Sequence, residues 1–182
     1  MVEERRRRTP GSREPEPSAA GGGERWAGYL DWLREDLVSG VLALSEEQRR
    51  TTTVASGWTP IELLNHVLHM EQRWFVWGFL GQAVDEPWGD WNVADPSAAE
   101  EGGARWAVAA SVGAEELARR LRELGEWTGA LLCSVPLDTP AALGGRFRED
   151  PPTLEWICFH VVAEYARHAG HLDIVVETLR EG

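Results

Sequence analysis

The chain carries five histidines, and all of them fall in two short windows. His160, Glu164 and His168 stand at i, i+4 and i+8, with His171 three residues further, inside the largely apolar stretch from Leu154 to Asp173. Residues three or four apart share one face of a helix, so this stretch reads as a long apolar helix with a polar stripe. His66 and His69 lie together in a second apolar helical stretch. Burying several ionisable groups on helix faces is unfavourable unless they pair or hold a metal, so the clustering points to a metal between two helices. Glu164 and His168 need at least one more ligand from a neighbouring helix, and His66 is the natural candidate. Two neutral imidazoles and a carboxylate suit Zn²⁺ best, and also Ni²⁺, Fe²⁺ or Mn²⁺. Three protein ligands leave positions open to water or substrate, the arrangement of a catalytic centre. On the residues alone the set stays open: His160 could replace His168 one turn lower, and His171 could join or serve as the alternative ligand. Asn65, His69, Trp74, His160, Arg167, His171 and Asp173 are candidates to orient the imidazoles or line a substrate pocket. The ordinary alternatives are a hydrogen-bonded core histidine at 66, an internal pair of Glu164 with Arg167 or a histidine, and exposed or pocket-lining roles for His69 and His160.

Other chemistries find little support. No Gly-rich phosphate loop, Cys-x-x-Cys or His-Glu-x-x-His string occurs. Ser56 precedes Gly57 without a nucleophile elbow around it. Cys133 and Cys158 lie in apolar helical segments and read as reduced core residues with nothing nearby to activate a thiolate. The net charge of -12 excludes a broad nucleic-acid-binding surface. No apolar run reaches the roughly 18 residues of a membrane span, and the expectation is a cytoplasmic protein. All 18 basic residues are arginine, with Ala and Gly abundant, a composition of the very GC-rich, actinobacterial type.

The elements that must position these residues are helices. Residues 1–23, with Arg5 to Arg8, Pro10, Pro15, Pro17 and Gly21 to Gly23, read as a disordered tail ahead of one domain over 24–182. Leu30, Leu33, Leu37, Val41 and Leu44 recur at helical spacing over about 24–44, and Ser45 to Gln48 has the form of a capping box. Thr59, Pro60 and Glu62 mark the start of a second helix reaching to about Leu80, with Ile61, Leu64, Leu68, Phe75 and Phe79 inward. Residues 81–103 form a long loop containing Pro87-Trp88-Gly89-Asp90-Trp91, either a pocket wall or a cover over one end of the bundle. A third helix over about 114–135 turns Leu117, Leu121, Leu124, Trp127, Leu131 and Leu132 inward. A second loop spans 136–152, and the last helix runs to about Arg180. With no convincing strand, the expected fold is all-α, a four-helix bundle with long connecting loops.

At these residues the chain resembles the DinB-like superfamily of metal-binding four-helix bundles. It is most similar there to the branch grouped with mycothiol-dependent S-transferases. The matching features are Ser56-Gly57-Trp58-Thr59-Pro60, His66, Glu71-Gln72-Arg73-Trp74-Phe75, Leu154-Glu155-Trp156, His160, and the run from Glu164 to Asp173, over about 24–182 in all. The resemblance implies His66, Glu164 and His168 as metal ligands. It further implies a divalent metal that activates a thiol, mycothiol by the GC-rich composition, for transfer to a small-molecule electrophile. A homodimer is compatible with the family. The chain departs from the branch at Ile174-Val175-Val176-Glu177, where relatives more often carry an arginine before the glutamate. If that arginine holds an anionic cofactor group, the pocket here is adapted to another ligand. The competing class is a non-catalytic bundle that binds a metal or small ligand for sensing or sequestration.

Overall fold

The computed structural model describes residues 14–15, 21–91 and 106–181. The expected disordered tail lies mostly outside the described residues, as does the later part of the first long loop. Among the described residues there are five α-helices: α1 (Gly22–Leu42), α2 (Glu46–Arg49), α3 (Pro60–Gln72), α4 (Ala114–Ser134) and α5 (Leu154–Glu181). No strand forms among the described residues; there are only isolated bridges such as Trp91 with Trp106. The expected all-α bundle is what the chain adopts.

The start signals act as the sequence implies. Ser45 and Gln48 cap each other reciprocally, Ser45 N–H donating to Gln48 Oε1 at 3.0 Å and Gln48 N–H to Ser45 Oγ at 3.2 Å. At α3, Glu62 accepts from the Thr59 N–H at 2.8 Å and from its hydroxyl at 2.9 Å, with Pro60 opening the first turn. One feature of this helix is not periodic. From Arg73 to Phe79 the α-helix continues as a π-helix, a rare form frequently found at functional sites. It re-aims the aromatic side chains Trp74 and Trp77 relative to the α3 face below them.

Helices α1 and α3 each pack against both α4 and α5, so the ring order is α1–α4–α3–α5. Leu30, Leu37, Leu63, Leu64, Leu68, Phe75, Leu117, Leu121, Ile157 and Val161 fill the centre. A polar group runs through this core. Arg34 on α1 donates to both carboxylate oxygens of Glu71, at 3.0 Å to Oε1 and 3.3 Å to Oε2. Thr128 of α4 donates to Glu71 Oε1 at 2.7 Å and Tyr165 of α5 to Oε2 at 2.5 Å. Glu71, Thr128 and Tyr165 are fully buried and Arg34 nearly so. One carboxylate thus ties all four long helices together. Burial alone would lower the Arg34 pKa, but Glu71 outweighs it and holds the guanidinium charged; burial beside Glu71 pushes the Tyr165 hydroxyl well above its usual range.

This network corrects the reading of α4. Trp127 is 38% exposed. The inward positions at that level are Gly125 and Thr128, because Arg34 and Glu71 occupy the space. A Cβ at Gly125 would stand 2.3 Å from the Arg34 guanidinium carbon, so only glycine admits the arginine.

The cysteines also divide differently from expectation. Both are free, but Cys133 is exposed and only Cys158 belongs to the core. Burial, with Glu155 nearby, pushes the Cys158 thiol up to about 12. Because the thiolate is the reactive form, iodoacetamide at neutral pH is expected to label Cys133 and to modify Cys158 about a hundredfold more slowly or less. Mass spectrometry of a labelling time course checks this, and equal rates at the two sites would contradict the burial.

Candidate functional site

The site lies where the neighbouring helices α3 and α5 face each other. His66 projects from the second turn of α3 and His168 from the middle of α5, with ring centroids 5.0 Å apart in an edge-to-face arrangement. Glu164, one turn before His168, places Oε2 3.5 Å from His168 Nε2. His168 thus lies beside both His66 and Glu164.

His66 is held by a residue that periodicity could not reveal. Its Nδ1 donates to Asp90 Oδ2 at 2.7 Å, so in the neutral ring the lone pair is on Nε2. Asp90 comes from the first long loop and is fully buried. Arg73, at the start of the π-helix, donates to Asp90 Oδ1 at 2.6 Å and to the Pro87 carbonyl at 3.0 Å. Burial alone would raise the Asp90 pKa, but the hydrogen bonds from His66 and Arg73 outweigh it and hold the carboxylate below its usual range. The Trp106 ring stacks on His66 at 4.0 Å between centroids and 14° between planes, covering it from solvent. The loop is thus neither a simple lid nor only a cap: it delivers the carboxylate that orients the imidazole. Its one sequence signal was an acidic residue inside a tryptophan- and glycine-rich segment.

His168 is buried, and burial pushes its pKa down to about 3, with His66 and His171 adding to the effect. It is a neutral imidazole at physiological pH. Its Nδ1 is buried and has no hydrogen-bond partner among the described residues, which is costly for a polar atom unless something else satisfies it.

The remaining candidates take varied places. Asn65 donates from its side chain to the Ala107 carbonyl at 3.0 Å, fastening the far end of the loop to α3. His69 Nδ1 donates to the Asn65 carbonyl at 2.9 Å and its ring packs on Gly89, so it supports the loop and does not face His168. His160 is half-buried against Trp74, ring centroids 4.0 Å apart, with Nε2 4.0 Å from Glu164 Oε1. Arg167 is exposed and pairs with Glu164 Oε1 at 3.4 Å. His171 is exposed, its ring centroid 5.9 Å from that of His168, and Asp173 lies on the exposed side of α5.

The donor chemistry fits a divalent cation: an imidazole oriented by Asp90, and a neutral His168 imidazole whose Nε2 stands beside the Glu164 carboxylate. The side chains do not already converge as a finished cage, since no group of three His, Cys, Asp or Glu among the described residues has that closeness. No helix among the described residues is long and apolar enough to cross a membrane.

No curated protein matches the chain. The mycothiol-S-transferase family matches residues 26–181, from the first turns of α1 to the end of α5 and including both halves of the site. On that match the chain belongs to the mycothiol-S-transferase family.

Proposed function

We propose that the protein is a divalent-metal-dependent S-transferase that joins mycothiol to a small-molecule electrophile. Its metal, Zn²⁺ first among the choices, would be held by His66, Glu164 and His168. The observation that carries this reading is His66, locked by Asp90, set edge-to-face against a His168 that burial keeps neutral and whose Nε2 stands 3.5 Å from Glu164 Oε2. A cation bound there would lower the pKa of a coordinated thiol, so that thiolate is available at neutral pH. The chain's own residues do the rest. Asp90 keeps the proton on His66 Nδ1 and so presents Nε2 as a donor. Trp106 shields the His66 ring from water. The half-buried His160, packed on the buried Trp74, stands beside Glu164. In the transfer the thiol sulfur forms a bond to the electrophilic carbon and the leaving group departs with the bonding electron pair. The thiol proton passes to solvent.

The test is thiol consumption by the metal-loaded protein with monobromobimane as electrophile, comparing mycothiol with glutathione and bacillithiol. Mycothiol conjugation well above the uncatalysed rate, and above that with the other two thiols, is expected. Bound metal with no thiol consumed in any of the three would leave a non-catalytic binding bundle as the better account.

A further inference from the structure

Beside the histidines, a second cluster occupies the same α3–α5 side. Trp74 packs on Trp156 with centroids 5.9 Å apart as well as on His160. The Trp156 and His160 rings lie nearly parallel, 13° between planes and 5.6 Å between centroids. Arg146, from the loop before α5, lays its guanidinium over Trp74 at 4.3 Å from the ring centroid and reaches Trp77 at 5.9 Å. The backbone sets this position. Arg146 N–H donates to the Trp77 carbonyl at 3.3 Å, and Ala142 N–H donates to the Phe79 carbonyl at 2.8 Å. A Cβ at Gly145 would stand 2.3 Å from the Trp77 oxygen, so glycine is what lets the loop approach the π-helix.

Two features of this cluster ask for a ligand. Acidic residues outnumber basic ones 30 to 18, and the three buried arginines each meet a carboxylate: Arg34 with Glu71, Arg49 with Glu115, Arg73 with Asp90. Arg146 is half-buried, yet among the described residues no carboxylate pairs with it. Burial and the nearby Arg73 both lower its pKa, which is the signature of a cation short of counter-charge. The tryptophan faces recover part of that cost but supply no acceptor to the guanidinium's N–H fork, which has none among the described residues. Second, Trp156 is 51% exposed where it packs on Trp74 and His160. A large aromatic face exposed beside convergent polar groups is how small-molecule sites are built. His160 joins the cluster to Glu164, as described above.

We propose that Arg146, Trp74, Trp156 and His160 form the electrophile subsite, and that it takes a planar aromatic compound bearing a carboxylate. The carboxylate meets the Arg146 guanidinium and the ring packs on the exposed indole of Trp156. The name of the subsite rests on the transferase reading; the binding itself requires no turnover, so the two can fail separately.

The experiment is calorimetric titration of the metal-loaded full chain with naphthoate and, as its uncharged counterpart, naphthamide. A charge-assisted pair predicts naphthoate binding about tenfold tighter or more. Arg146→Gln is expected to abolish that preference while leaving naphthamide affinity unchanged, and Arg146→Lys to restore part of it. Trp156→Ala, at an exposed position, is expected to weaken both ligands about fivefold. Near-UV circular dichroism of each variant confirms the fold, and the Lys variant keeps the test usable if the Gln variant fails it. No preference for naphthoate, or a preference that survives Arg146→Gln, overturns the inference; the second result would assign the carboxylate to the cation. Naphthoate selectivity lost in Arg146→Gln, in a protein that conjugates no mycothiol, would uphold the subsite and reject the transferase reading.

Discussion

Glu71→Ala is expected to destabilise the protein by about 3–5 kcal/mol, the usual cost of removing one partner from a buried ion pair. The loss is large because the carboxylate has four donors' worth of contacts in the core: two from Arg34 and one each from Thr128 and Tyr165. Its removal leaves the Arg34 charge buried without compensation. Against a typical domain stability of about 5–15 kcal/mol, urea denaturation should show a midpoint shifted far down or a chain already unfolded. An exposed acid such as Glu116, paired only at the surface with Arg119, should cost about 1 kcal/mol or less when replaced. Equal effects at the two positions would show that the network does not hold the helices together. The same network carries a pH dependence with a definite sign. The Tyr165 pKa is raised in the folded protein well above its usual 10.0. Its contribution is therefore complete below about pH 10 and is lost as pH rises further, where the unfolded chain releases a proton that the folded chain retains. Tyr165→Phe should flatten that alkaline decline.

His168→Ala is expected to abolish stoichiometric metal binding and, with it, mycothiol conjugation, and His66→Ala should do the same. On the proposed ligand set, either change takes away one of only three protein donors. Asp90→Asn, which keeps the size but weakens the hold on His66 Nδ1, should leave the metal bound about 10–100-fold more weakly. Elemental analysis after dialysis against a buffered chelator measures all three, with circular dichroism to verify folding. Stoichiometric metal retained by His66→Ala and His168→Ala would overturn the ligand set. Metal lost in His171→Ala instead would move the site one turn along α5.

The parts of the fold that periodic rules govern were legible in the chain. The Thr59–Pro60–Glu62 start of α3 and the capping box before α2 are local and appear as expected. The polar stripe of α5 follows directly from 3.6 residues per turn. What failed was local reasoning about non-local partners. Trp127 and Cys133 have the composition of core residues, but their burial depended on what the other helices put opposite them. Arg34 and Glu71 lie 37 positions apart. Their meeting gave the inner face of α4 to Gly125 and Thr128, a choice that hydrophobicity alone would reverse. The π-helical turn after Gln72 likewise has no single-residue signature.

The candidate site divides in the same way. Sequence by itself determined that α3 and α5 would form and that His66, Glu164 and His168 would each sit on a definite helix face, because helix geometry and caps act over a few residues. Only the tertiary structure decided that α5 lies beside α3, so that those faces meet. It also brought Asp90, 24 positions along an aperiodic loop, against His66, and seated Arg146 over the aromatic rings of the π-helix. Loops carry no period from which a side chain's direction can be read. Their placement is settled by which backbone groups the finished bundle leaves for them to pair with, and that is a property of the assembled helices.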